Sequence, residues 1–131
     1  MSLRFVRVVA ALVEREGAVL VQQRGRGGAR ELLWEFPGGK IEQGESETEA
    51  LARECLEEMG VEVAVGPLEA RNVHRYEDLE IELLLYRCEI VSGEPQALHG
   101  HEVRFVPVAG LPALTFTEAD VPFVKLLTRG A

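Results

Sequence analysis

Residues 39–61 read GKIEQGESETEALARECLEEMGV, and the rest of the chain is best understood outward from them. From Ser46 to Met59 no Gly or Pro interrupts the run. Ser46 followed by Glu49 makes a capping box, and Gly60 supplies a stop, so the spacing predicts a helix. At about 100° per residue, Leu51, Ala52, Cys55, Leu56 and Met59 fall on one broad apolar face. Glu54, Glu57 and Glu58 stand at i, i+3 and i+4 on the opposite side, where like charges destabilise a bare helix. A hard divalent cation with oxygen ligands would relieve that repulsion, and Mg²⁺ is the usual ion where phosphates are also bound. Just upstream, Pro37-Gly38-Gly39 reads as a glycine-rich turn at which backbone can approach a ligand closely.

The surrounding chain predicts strands. Phe5–Val13 and Ala18–Gln23 are Val-rich runs joined by Glu14-Arg15-Glu16-Gly17, a hairpin signal. Gly25–Arg30 reads as a cationic loop, and Leu32–Phe36 as a short strand leading into the turn. Val61–Val65, Leu79–Ile90 and Val103–Val108 are further strand candidates. Glu118–Thr128 reads as a closing helix capped by Thr117, with Pro122 in its first turns. Strands with one helix early and one late give a mixed α/β class, a sheet between helices.

The chain has 131 residues, 47% of them hydrophobic and 27% charged, which predicts one domain over 1–131 with its own core. Its net charge of −8 argues against a nucleic-acid polymer as partner, because a duplex is held by general phosphate attraction. A small anionic substrate would need a metal or local Lys and Arg. Cys55 and Cys88 lack CxxC spacing and read as reduced thiols of a cytoplasmic protein. The N-terminal run is too short and too charged for a signal peptide, and no stretch approaches the ~18 apolar residues of a membrane span.

Gly39, Glu45, Arg53, Glu54, Glu57, Glu58, Gly60 and Val61 match, in register, the pattern G-x5-E-x7-R-E-U-x-E-E-x-G-U, where U is a bulky aliphatic residue. Cys55 is the one departure, at the first U, and a buried Cys is itself a small hydrophobe. The chain therefore resembles the Nudix hydrolase superfamily. Trp34–Glu42 is similar to the segment before that box in its MutT-like nucleoside triphosphate pyrophosphohydrolases. The resemblance implies a Nudix-type α/β/α sandwich with a mixed central sheet and Mg²⁺-dependent hydrolysis, with Mn²⁺ as a substitute. It implies Glu54, Glu57, Glu58 and the Gly38 carbonyl as metal ligands, and Glu54 as the general base or the group orienting it. Gly39, Glu45 and Arg53 are implied to be structural, the last two as an ion pair between loop and helix.

Family members often add a carboxylate on a later loop, for which Glu102 is the candidate, although His99 occupies the place used by the acid in some of them. Lys40 is a candidate phosphate contact. Arg24 lines up with a nucleotide-contacting arginine, and Asp120 with the residue set against the base edge. An ionised Asp only accepts hydrogen bonds, which suits a base presenting N–H donors; a protonated buried Asp can also donate. Phe36, Tyr76 and Phe116 are stacking candidates, each read first as core or rim. The expected reaction is conversion of a nucleoside triphosphate to monophosphate and pyrophosphate, with 8-oxo-dGTP first. The alternatives are CTP or dCTP, dinucleoside polyphosphates or other nucleoside diphosphate derivatives, and a non-catalytic nucleotide-binding domain.

Overall fold

The computed structural model describes residues 3–129. β1 (Arg4–Arg15) turns through Glu16 and Gly17 into β2 (Ala18–Gln23), and both turn residues have positive φ, 52° and 80°. That geometry matches the right-handed twist of a two-residue hairpin; the hairpin expected over Glu14–Gly17 forms, with Glu14 and Arg15 belonging to β1. β3 (Trp34–Glu35), β4 (Gly38–Lys40) and α1 (Glu47–Met59) follow, then the long strands β5 (Glu62–Arg75) and β6 (Leu79–Ser92). β7 (Glu102–Pro107), a 3₁₀ turn (Val108–Ala113) and α2 (Val121–Arg129) complete the chain.

The sheet runs β3-β2-β1-β6-β5, with β4 also on β1 and β7 also on β2. β1 and β6 are parallel from Arg4↔Leu79 to Val13↔Cys88, and the other pairings are antiparallel, so the sheet is mixed. Val9, Ala11 and Val13 of β1 face the cluster holding Leu51, Cys55 and Met59 of α1. Ala10 and Leu12 face the cluster holding Phe123 and Val124 of α2. A strand buried on both faces reads as an unbroken apolar run, which is why Val8–Val13 does not alternate.

β1 and β2 pair only beside their turn, at Glu14↔Val19 and Arg15↔Ala18. Beyond that point β4 takes the β1 edge, and Ala11 N–H donates to the Pro37 carbonyl at 2.8 Å. The segment Phe36–Lys40 is thus wedged into a split between two strands. Pro37-Gly38-Gly39 was expected to turn; instead Gly38 and Gly39 are strand residues, neither with positive φ. The demand for glycine is steric: a Cβ on Gly38 would lie 1.9 Å from the Val9 carbonyl oxygen.

α1 has the predicted capping box, with Ser46 Oγ accepting from Glu49 N–H, and Gly60 closes it in the left-handed region at φ 71°. Its buried stripe is Ala50, Leu51, Cys55 and Met59; Leu56, expected on that face, is 59% exposed. Helix α2 begins at Val121, after a Thr117–Asp120 turn rather than at Glu118. β5 extends ten residues past the predicted Val65 to Arg75, because register shifts around Gly66 and Pro67 absorb residues that read as a break. Cys55 and Cys88 are free and buried. Among the described residues no helix is long and apolar enough to cross a membrane.

Candidate active site

Arg53 organises the acidic segment. Its Nε and Nη2 grip Glu45 at 2.6 and 2.9 Å, a fork-to-fork pair between the middle of α1 and the loop before it. Nη2 also donates to the Lys40 carbonyl at 3.1 Å, fastening β4 to the helix. Nη1 reaches Glu54 at 2.9 Å and Glu57 at 3.1 Å. Glu45 accepts a further bond from Glu42 N–H, and with Arg53 this holds its carboxyl below the ordinary range.

The three glutamates do not share one environment. The side chain of Glu54 is 13% exposed, and that of Glu57 is 55% exposed. Glu54 lies against β4 where Gly39 has no side chain: a Cβ there would come within 2.3 Å of the Glu54 carboxylate. Burial raises the Glu58 carboxyl, and the nearby Glu54 charge raises it further. Two neighbouring carboxylates, one resisting ionisation, make the electrostatic signature that a hard cation relieves. Glu57 is turned to Arg53 instead, and among the described residues no three His, Cys, Asp or Glu side chains stand together as a ready metal cluster.

Glu54, Glu58, Gly38, Gly39 and Lys40 line part of a cleft of about 650 Å³. Its other lining residues include Val6, Val8, Ile81 and Leu83 of the sheet, Arg24 and Arg30 of the loop after β2, and Thr117 and Asp120 before α2. The cleft opens beside the wedge of β3 and β4, whose residues Glu35, Gly38, Gly39 and Lys40 are among its lining.

A NUDIX domain model matches residues 8–126. The chain belongs to the Nudix family. Its relatives include a protein of Escherichia coli K12 named CTP pyrophosphohydrolase, 38% identical over 125 residues that cover 94% of this chain and 91% of that one. The 8-oxo-dGTP diphosphatase of the same organism is 35% identical over 95 residues, 72% of this chain and 74% of that one. The solution structure of the Escherichia coli ORF135 protein superposes with a TM-score of 0.82 at 30% identity, covering 97% and 91% of the two chains. A MutT protein from Methanosarcina mazei Go1 shares the fold, with a TM-score of 0.87 at 21% identity over 99% and 97%. The protein is thus a MutT-like Nudix pyrophosphohydrolase with a nucleotide-hydrolysing lineage. Nudix hydrolases in general work with a divalent metal ion.

Within this Nudix cleft Asp120 is buried, and each of its carboxylate oxygens accepts one hydrogen bond. Its Oδ1 accepts from Phe36 N–H at 3.1 Å, and its Oδ2 accepts from the Thr117 hydroxyl. Burial, then the charge of Glu35, pushes its carboxyl up to about 7. Each carboxylate oxygen has a second lone pair, so these bonds leave capacity for a ligand. Arg24 Nη1 pairs with Glu35 at 3.0 Å and its Nε with the Ala29 carbonyl at 3.3 Å, which fixes it at the cleft wall. Lys40 is exposed on the rim.

Glu35 was missed. It is raised chiefly by burial, accepts from Arg24 and Gln22, and couples to Asp120. The signal available in the sequence was a lone acid between Trp34 and Phe36, both core residues, in a two-residue strand. Glu102, in contrast, is not brought to the carboxylates. It opens β7 opposite Gln23, pairs with Arg104 at 2.8 Å, and lies outside the cleft lining. His99 is the later-loop residue near Glu58: the two line an adjoining cavity of about 290 Å³, and His99 opposes the rise in the Glu58 carboxyl.

Proposed function

We propose that this enzyme hydrolyses a nucleoside triphosphate to the monophosphate and pyrophosphate with Mg²⁺, or Mn²⁺ in its place, and that 8-oxo-dGTP is a physiological substrate. The observation that carries the reading is one cleft lined both by Glu54, Glu58 and Gly38 and by buried Asp120. Glu54, Glu58 and the Gly38 carbonyl would hold the ion, with Glu57 completing the set by leaving Arg53. When bound, the metal supplies Lewis-acid stabilisation of phosphate charge and a more acidic water.

The protein's own groups do the rest. A water oxygen bonds to phosphorus as an anhydride P–O bond breaks, and Glu54 takes or directs the water's proton. We assign no proton-transfer step to Glu102, which is bonded to Arg104 and is not among the cleft-lining residues. Lys40 and Arg24 offset phosphate charge in an otherwise acidic protein. Asp120, whose carboxyl sits at about 7, presents an acceptor when ionised and a donor when protonated to the base edge. An 8-oxopurine offers ring and exocyclic N–H donors to such a group, and cytosine offers its amino group.

CTP or dCTP is the second reading, supported by the 38% identical relative named CTP pyrophosphohydrolase. The free, buried Cys55 and Cys88 support a reducing compartment, the cytoplasm, with residues 1–131 acting as one domain. Monophosphate and pyrophosphate release from 8-oxo-dGTP, dGTP, CTP, dCTP, a dinucleoside polyphosphate and ADP-ribose, with and without a chelator, tests the assignment. Metal-dependent turnover of a triphosphate, lost in Glu58→Gln, is expected. Failure to cleave any triphosphate with Mg²⁺ or Mn²⁺ would sink it.

A further inference from the structure

Of the residues lining the cleft, Phe36 and Tyr76 are aromatic, and neither presents an open ring to a base. Phe36 is 3% exposed and stacked on Phe116 at 5.7 Å, inside the core. Tyr76 is held by its hydroxyl, which accepts from Ala119 N–H at 2.9 Å, and has the His74 ring against it at 4.6 Å. The Arg30 guanidinium lies over the Tyr76 ring, 4.1 Å from its centroid.

Arg30 is placed there at a cost. It belongs to the glycine-rich loop after β2, yet its own φ is 59° and that of Leu32 is 61°, a backbone region that side chains rarely adopt. Backbone bonds between Arg24 and Leu33, and from Leu33 N–H back to the Arg30 carbonyl, close the loop into that shape. The Arg30 side chain is only 22% exposed despite its loop position, and its Nη1 donates to Asp78 at 3.4 Å. A loop arginine drawn inward against strain, onto a ring at the cleft, calls for a reason beyond solubility.

A guanidinium is planar and weakly hydrated, and stacks on flat π systems in a way an ammonium does not. With one face on Tyr76 it has a second face to offer. The same cleft is lined by apolar sheet residues, among them Val8 and Leu83. We propose that Arg30, backed by Tyr76, is the stacking partner of the substrate's nucleobase in this cleft. The inference rests on the nucleotide reading of the cleft. Stacking tolerates any base, so Arg30 sets affinity for nucleotides as a class, while Asp120 in the same cleft distinguishes base edges.

The test uses the intact enzyme, Arg30→Ala and Arg30→Lys, with calorimetric binding of 8-oxo-dGMP, CMP and inorganic pyrophosphate, and steady-state kinetics on the matching triphosphates. Arg30→Ala is expected to weaken both monophosphates by about tenfold. It should raise KM for both triphosphates in parallel, leave kcat within about twofold, and leave pyrophosphate binding as it was. Arg30→Lys, which keeps the charge and loses the plane, should resemble the alanine variant. Equal weakening of pyrophosphate would make Arg30 a phosphate contact and overturn the proposal, as would full affinity in Arg30→Lys. If no triphosphate is cleaved, the activity reading fails alone, because the monophosphate binding experiment still decides the role of Arg30.

Discussion

Replacing Gly39 by Ala separates the chemistry of this site from its fold. The added Cβ would stand 2.3 Å from Cδ and Oε2 of Glu54 and 2.7 Å from Oε1. Carbon contacts settle near 3.5–4.0 Å, so the carboxylate has to move by about 1 Å or more. A misplacement of that size costs on the order of 100-fold in rate, equivalent to about 2.7 kcal/mol of barrier. Stability should suffer little. The obstructing atoms are the end of a flexible side chain that can swing towards water, and Ala itself lowers unfolded-chain entropy by about 0.4–1 kcal/mol relative to Gly. Gly38→Ala is the internal contrast. Its Cβ would meet backbone, the Val9 carbonyl oxygen at 1.9 Å and Ala10 Cα at 2.8 Å, so the strand itself must shift, with a loss of at least about 3 kcal/mol. Steady-state kcat with a Mg²⁺ titration, alongside urea unfolding, measures both. A Gly39→Ala enzyme within about threefold of the wild-type kcat would refute the argument, and so would one that unfolds as readily as Gly38→Ala.

Arg53→Ala releases Glu45, Glu54, Glu57 and the Lys40 carbonyl at once; with the Arg53 side chain 22% exposed, the loss should be about 1–3 kcal/mol, together with weaker activation by Mg²⁺. A urea midpoint unchanged from wild type would count against Arg53 as the tie between loop and helix. Asp120 gives a pH prediction: its carboxyl sits at about 7 in the fold and near 3.9 unfolded. The fold therefore holds the extra proton, and this contribution is complete below about pH 3.9 and lost as pH rises towards 7. Asp120→Asn keeps an acceptor for Phe36 N–H without titrating, so wild-type stability relative to the variant should fall by up to about 1.4 kcal/mol per pH unit across that window. An identical difference at about pH 5 and about pH 7.5 would contradict it.

Much of the fold was legible because its determinants are local or periodic. Ser46, Glu49 and Gly60 bracket α1 within one continuous stretch, and the predicted caps are the ones formed. Glu16-Gly17 marks a hairpin because two successive residues take positive φ. Where long-range packing decides, local reading failed. Pro37-Gly38-Gly39 has turn composition, but the β1 edge was open to it and drew it into strand pairing. Leu56 has a core residue's chemistry, yet α1 packs on β1, β4 and β5 through a stripe from Ala50 to Met59 narrower than the helical wheel suggests, leaving Leu56 exposed.

The candidate site divides the same way. Residues 39–61 alone carried the match to the family and, through that resemblance, the Arg53–Glu45 pair, while the acidic face follows from helical spacing. Tertiary structure decided which carboxylates reach the cleft, Glu54 and Glu58, whereas Glu57 and Glu102 are held in local pairs with Arg53 and Arg104. It also set Glu35 beside Asp120, 85 residues apart in the chain, and Arg30 over Tyr76. No periodicity links such residues. Their proximity follows from strands separating around a wedge of backbone, and burial there raises the energy of charge in a way that composition does not record.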